Sequence, residues 1–484
     1  MKNLVYFLPV LLFISCKSDD DQSPELEEIN VCIIFKNQSI IGLSDFQFKI
    51  LDKDGNTLLL DRTHFNKENC LKMQKNVPVS LELYVKDNCR DFVYKKELGT
   101  YSLNDNIEVV INDEVLQIDS VYEGDIEIKN QEELDAFGCQ GYKKINGRLS
   151  IHGVNNLNSL INLEEIKGWL LIGSSFFTSN GQSTFLQNKR NLDLKSLSGL
   201  DNLVTIEGGL VIHMSGISDL SGLTNLENLE TLVIGGNDNL VSLKGASKLK
   251  KISKNFYLGG LATWMCDFTL SCAYISGNTN LETLSGLNVE HIGENFAIRG
   301  SGIRNFEGLS NMKNIGTLIV SSNAKLVNFL GFPTGNIVSN NITIGEYLNF
   351  RLNFFNESHN PALDNLKGLE GITSLKGKLS IGLNDKLTSL DGLENLQSAK
   401  NITIFSNPLL TSLEGLSSLI SVENLNIGSG PKNSDNDSSK NDGNPFLKDF
   451  CALKNTTITG RYEVIHNGYN PTKEQLTTDQ CKVN

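Results

Sequence analysis

A chain of 484 residues with a formal charge of −13 is long for one compact core and reads as two or three units, or as a fold that grows by stacking. Acidity without any Lys/Arg-rich run excludes a nucleic-acid binder, which needs clustered cations against phosphate. Nine cysteines without a CxxC, and six scattered histidines, argue for disulfides and against zinc; no metal and no cofactor is predicted.

Residues 1–15 carry Lys2, an apolar run from Leu4 to Ile14 and then Ser15, directly before Cys16. Such a run is too short to cross a bilayer and reads as an export signal. Its ending, FISC, resembles the lipobox of bacterial lipoproteins, with Phe13 where leucine is commonest, and implies a lipid on Cys16. The following KSDDD resembles the acidic tag that sends Bacteroidetes lipoproteins to the outer face of the outer membrane. These two resemblances imply a lipid-anchored, surface-exposed protein of the cell outer membrane. The alternative is an ordinary cleaved signal peptide with a chance cysteine. Residues 16–29, acidic and nearly free of apolar side chains, read as a flexible tether.

From Asn30 to Asp119 the runs VCIIF, FQFKIL, TLLL, VSLELYV and IEVVI are separated by turn signals such as DKDGN. They predict a small β-sandwich over residues 30–119, similar to the prealbumin-like or Ig-like modules that precede ligand-binding domains, in the role of a spacer. Residues 120–148 include QEELDAF, a short amphipathic helix suited to covering the first coil of a repeat array.

From residue 149 to 445 and into the C-terminal segment, an apolar-x-apolar pair recurs twelve times, from Leu149/Ile151 to Tyr462/Val464. Alternation of this kind marks a strand with one face inside, and the leucines at every third position between pairs suit a tight turn rather than an α-helix. Stacked in parallel, these phrases predict a mainly β fold, a β-solenoid closed by a C-terminal cap over residues 446–484. Asn237, Asn278, Asn323, Asn360, Asn384, Asn407 and Asn444 each lie three residues before a leucine run. They read as a structural column of amides that satisfies the turn backbone. Cys451 and Cys481 would close the C-terminal cap, and Cys266 and Cys272 would staple one loop; Cys32, Cys70, Cys89 and Cys139 are left without assigned partners.

The phrases INGRLSI, IEGGLVI, LKGKLSI and NDKLTSLDGLENL resemble the receptor L domain, the leucine-rich right-handed β-helix of growth-factor receptor ectodomains and of Bacteroidetes surface proteins. The resemblance runs from Gly124 to the end. It implies a binding scaffold without catalysis and carries no ligand residues over.

The second residues of the pairs, from Ile172, step by 40, 22 and 24 residues twice and then by 37, 23 and 23. One coil in three therefore carries an insertion: Gly173–Asn191, Gly259–Asn280, Gly345–Ala362 and Gly428–Phe446. All leave from the same end of a strand, which predicts a row along one edge. The first three hold ten aromatics in 59 residues, among them Phe177, Trp264, Tyr274, Tyr347 and Phe350. That is more than twice the number expected from a chain that is 7% aromatic. The fourth is polar.

On the outward side of the strands Leu171, Val211, Val233, Tyr257, Ala297 and Ile319 give way to Thr343, Ser380, Thr403 and Asn426. Two readings stay open. The aromatic edge and the apolar stripe form a docking surface for a protein or a glycan, or the insertions fold back and bury the stripe, which their Phe content favours. No G-x-S-x-G, HExxH or P-loop is present, and these outward positions hold no Asp or Glu. The expectation is a non-enzymatic lipoprotein for adhesion or ligand capture. A glycan-binding accessory of polysaccharide uptake comes second, and a β-helix polysaccharide-degrading enzyme third.

Overall fold

The computed structural model describes residues 28–37, 45–64, 68–75, 78–86, 91–99, 106–111, 120–179, 183–188, 190–259, 277–348, 356–430 and 443–483. The signal, Cys16 and residues 17–27 of the expected tether lie outside these residues, whereas Glu28 and Ile29, also expected in the tether, open the first strand. The chain divides into two units at Gln117/Ile118.

The first unit contains two sheets. In one, β1 (Glu28–Asn37) sits between β4 (Glu68–Gln74), antiparallel, and β7 (Asn106–Ile111), parallel. In the other, β2 (Asp45–Leu51) and β5 (Val79–Lys86) are central, flanked by β3 (Thr57–His64) and β6 (Asp91–Gly99), all antiparallel. Ile29, Val31, Ile33 and Phe35 alternate along β1 and are buried, and Phe35 meets Phe48 of the other sheet at 5.1 Å between ring centroids. The two sheets thus share a core, as a sandwich requires. Cys32 and Cys70, unassigned from sequence, face each other across β1 and β4 and are bonded. Cys139 is bonded as well, and Cys89, Cys266 and Cys272 lie outside the described residues.

The second unit is a parallel β-solenoid. All twelve apolar-x-apolar pairs fall into one sheet and one register: Leu149 opposes Leu170, which opposes Leu210, and so on through Ile402 and Leu425 to Tyr462. The paired residues point inward, and every one but Tyr462 is buried in a single continuous core. The leucines between pairs are buried too, and their turns close through i→i−3 backbone bonds such as Leu223 N to Leu220 O and Leu226 N to Leu223 O, both 3.1 Å. Short 3₁₀ turns occur at Asn158–Leu160, Glu414–Leu416 and Cys451–Leu453. Where the turn carries glycine, as at Gly222 (φ 108°), the residue is left-handed and a Cβ would strike the Leu197 backbone of the preceding coil.

Two features go beyond the sequence expectation. Seven strands of the solenoid are eight or nine residues long, because a first inward residue (Ile206, Leu229, Ile252, Ile292 and Ile315 among them) pairs in its own column ahead of an irregularity. The irregularity breaks the alternation that the pairs obey. A further rung, Ile126–Ile128, also pairs with Leu149–Ile151 at the N-terminal end. Beyond it, helix Gln131–Gly138, capped by Asn130, buries Leu134 and Phe137 in the core. At the other end Cys451–Cys481 closes the last segment and Leu476 of helix Lys473–Leu476 is buried.

Candidate binding edge and outer face

Each coil ends its strand with one left-handed residue, and the position of that residue separates the two kinds of coil. In coils without an insertion it comes two residues after the last inward side chain: Gly153, Met214, Gly236, Gly300, Ser322, Leu383, Ser406 and His466. In coils with an insertion it comes one residue earlier and is always glycine: Gly173, Gly259, Gly345 and Gly428. The packing explains the glycine, since a Cβ on Gly345 would collide with the Gly382 carbonyl and one on Gly428 with the Ile465 carbonyl. An early turn therefore marks each exit. The register places the four exits three rungs apart in one column, about 14 Å from one to the next at ~4.8 Å per rung.

The first and third insertions begin as antiparallel hairpins, Ser174–Ser179 with Ser183–Asn188 and Glu346–Leu348 with Asn356–Ser358. Phe177 and Tyr347 lie on these strands. Trp264 and Tyr274 of the second insertion, Phe350 of the third and most of the polar fourth fall outside the described residues.

All four insertions rejoin the solenoid at an asparagine: Asn191, Asn278, Asn360 and Asn444. These belong to one buried column with Asn237, Asn323, Asn384 and Asn407, which Asn467 continues at its end. Every member donates Nδ2 to the last strand carbonyl of the preceding coil, for example Asn278 to Ile234 at 2.9 Å and Asn407 to Ile381 at 3.1 Å. Each Oδ1 accepts from a neighbouring coil, as Asn444 does from the Asn407 N–H at 3.0 Å. These nine amides hold together backbone that has left the ladder, and none of the eight buried ones has surface to offer a ligand. The sequence reading omitted two. Asn191 stands three residues before Leu194, so the same spacing finds it; Asn467 has no leucine run after it.

The outer face corrects the stripe. Leu171, Val211 and Ala297 are 0% exposed, Val233 1% and Tyr257 5%. They form a second small core, with Trp169 and Ile319 packed against it. The Trp169 ring lies flat on the next rung, and only a glycine at 209 leaves room for it. Leu171, Val211, Val233 and Tyr257 are therefore covered, not open for docking. Ser150, Thr343 and Ser380 are buried as well, while Thr403 and Asn426 of the last coils are half-buried.

The ten outward positions considered above hold no carboxylate, but two further rungs add one each. The extra rung adds Glu127, and the last rung adds Glu463. Glu127 lies 3.2 Å from His152 and 3.9 Å from Lys129, and Glu463 is 2.7 Å from Arg461. They stand at opposite ends, roughly 58 Å apart at ~4.8 Å per rung, whereas a glycosidic pair needs ~5–9.5 Å. Acidic residues on the turns cap their own loops: Glu370 and Glu394 accept from the Gly368 and Gly392 N–H groups at about 2.9 Å.

The described parts thus define a capped parallel β-solenoid with two kinds of coil, insertions along one edge and a buried outer core. No protein-family model, no curated protein and no solved structure matches the chain.

Proposed function

We propose that this chain is an exported lipoprotein, anchored through Cys16 at the outer face of the outer membrane, whose solenoid captures a protein ligand along its insertion edge. It acts without catalysis. The observation that carries this reading is the common column of Gly173, Gly259, Gly345 and Gly428, which sends every insertion out along one border of a rigid sheet. A row of variable loops on an invariant scaffold is the usual arrangement for recognition. The aromatic content of the first three loops suits a hot spot. The resemblance to receptor L domains supports the same class, and FISC followed by KSDDD supports the location.

The burial of Leu171, Val211, Val233 and Tyr257 moves the proposed contacts to the insertions themselves, Phe177, Trp264, Tyr274, Tyr347 and Phe350. A glycan ligand is the second reading, because aromatic loops also stack on sugar rings. A glycan array probed with residues 17–484 separates the two, since a protein adhesin gives no signal there. Replacing Trp264 and Tyr347 by Ala tests the edge: binding should fall with the fold intact, and lost stability with unchanged binding ends the docking idea. Protease added to intact cells should remove the protein if the location is right.

A further inference from the structure

Two columns of polar side chains run side by side over the last coils of the outer face, and their hydrogen bonds set them apart. In one, Asn341 donates to Thr317 Oγ1 at 3.1 Å and accepts from the Lys378 N–H at 2.7 Å. Further along it Asn424 donates to Asn401 Oδ1 and accepts from the Arg461 N–H, both at 2.8 Å. That column is used up in joining one coil to the next. In the other, Thr343, Ser380, Thr403 and Asn426 stand in register on four successive rungs, two residues further along each strand. Among the described residues none of these four side chains has a hydrogen-bond partner.

Thr343 and Ser380 are only 7% and 3% exposed, and Oδ1 of Asn426 is enclosed without a donor. Polar groups so covered are ordinarily paired, since leaving one unpaired costs about 1–3 kcal/mol. Four in a row make a surface that can donate and accept at every rung, over roughly 14 Å at ~4.8 Å per rung. Burial falls along it: Thr403 and Asn426 are half-buried, so the row is open at its Asn426 end. Beyond that end Glu463 is held by Arg461 at 2.7 Å. Beside the row the charge is of the other sign. Lys376, Lys378 and Lys400, near the starts of strands Ser374–Gly382 and Ser398–Phe405, are exposed and have no acidic partner among the described residues. In a chain of net charge −13 these three cations are a local exception.

We propose that this row is a binding site for the end of an extended, carboxylate-bearing glycan chain. Sugar hydroxyls pair with Asn426, Thr403 and Ser380 in turn, because an extended pyranose chain advances by nearly one rung per sugar. The carboxylates meet Lys378 and Lys400, where charge assistance strengthens each hydrogen bond. A peptide suits the row less, since no large apolar side chain is exposed on these four strands. The site is separate from the insertion edge and does not rest on what the edge binds.

Calorimetric titration of the full chain with hexamers of 1,4-linked galacturonate and of 1,4-linked glucose tests it. The galacturonate chain should bind, and the glucose chain roughly 10-fold more weakly. Thr403→Val, which keeps the branched shape and removes the hydroxyl, should weaken galacturonate binding about 3–10-fold, and Asn426→Leu should do the same. Lys378→Gln should erase the preference for galacturonate and most of its salt dependence. Trp264→Ala and Tyr347→Ala should change none of this, so a glycan signal that survives both belongs to the row and leaves the protein reading of the edge untouched. No binding of galacturonate, equal binding of the glucose chain, or native affinity in both Thr403→Val and Asn426→Leu would each overturn the proposal. Loss of binding in the edge variants alone would overturn it too.

Discussion

The two faces of a single strand obey different rules. In Ile402–Ile404 the inward residues repeat the chemistry of every coil before and after, whereas the outward Thr403 stands in a column that runs from glutamate through leucine and tyrosine to asparagine and back to glutamate. Inside, a side chain must fill a space bounded by identical rungs, so any change leaves a void or a clash. Outside, each rung meets whatever the local insertion supplies, so the column can vary. Variation in a solenoid therefore collects on the outer face and the exits, which is where a ligand can be selected.

Substitutions on one strand can break this contrast. Ile402→Ala should lower the unfolding free energy of the solenoid by about 2–5 kcal/mol, while Thr403→Ala should change it by less than about 1 kcal/mol, read from urea midpoints. Similar losses at both positions would mean that the outer face is as tightly specified as the inner one. Removing Cys451 and Cys481 together should release about 3–4 kcal/mol by loop entropy and fray the C-terminal coil first, visible as hydrogen exchange confined to residues after Leu447.

Asn407→Ala should follow, at about 1–3 kcal/mol, because the buried Ile381 and Phe405 carbonyls lose their donor. Ligand capture should be unchanged. The smallest effect belongs to the exposed ladder of ion pairs: Lys325→Ala, which removes the 2.7 Å contact to Glu282, should leave the midpoint unmoved at physiological salt.

Much of the solenoid was legible because its inner face is periodic. Every apolar-x-apolar pair found in the sequence lies in the expected column, and so do the four exits. The bulged first column was not legible, since an irregularity such as that between Ile206 and Gly209 breaks the alternation that reveals a strand. The rung Ile126–Ile128 carries the same pattern but was absorbed into the cap, and with it went Glu127. Cys32 and Cys70 could not be paired from spacing, because antiparallel register between strands whose cysteines are 38 residues apart is settled by the whole sandwich.

Periodicity alone determined how this chain repeats, which residues fill its interior and where its insertions leave, since each of these is a local rule written once per coil. Whether the outer face is open was decided only by tertiary structure. An apolar residue beside a long insertion has the same sequence signature whether it waits for a partner or is already covered, and only the tertiary packing made Leu171, Val211 and Val233 part of a second core.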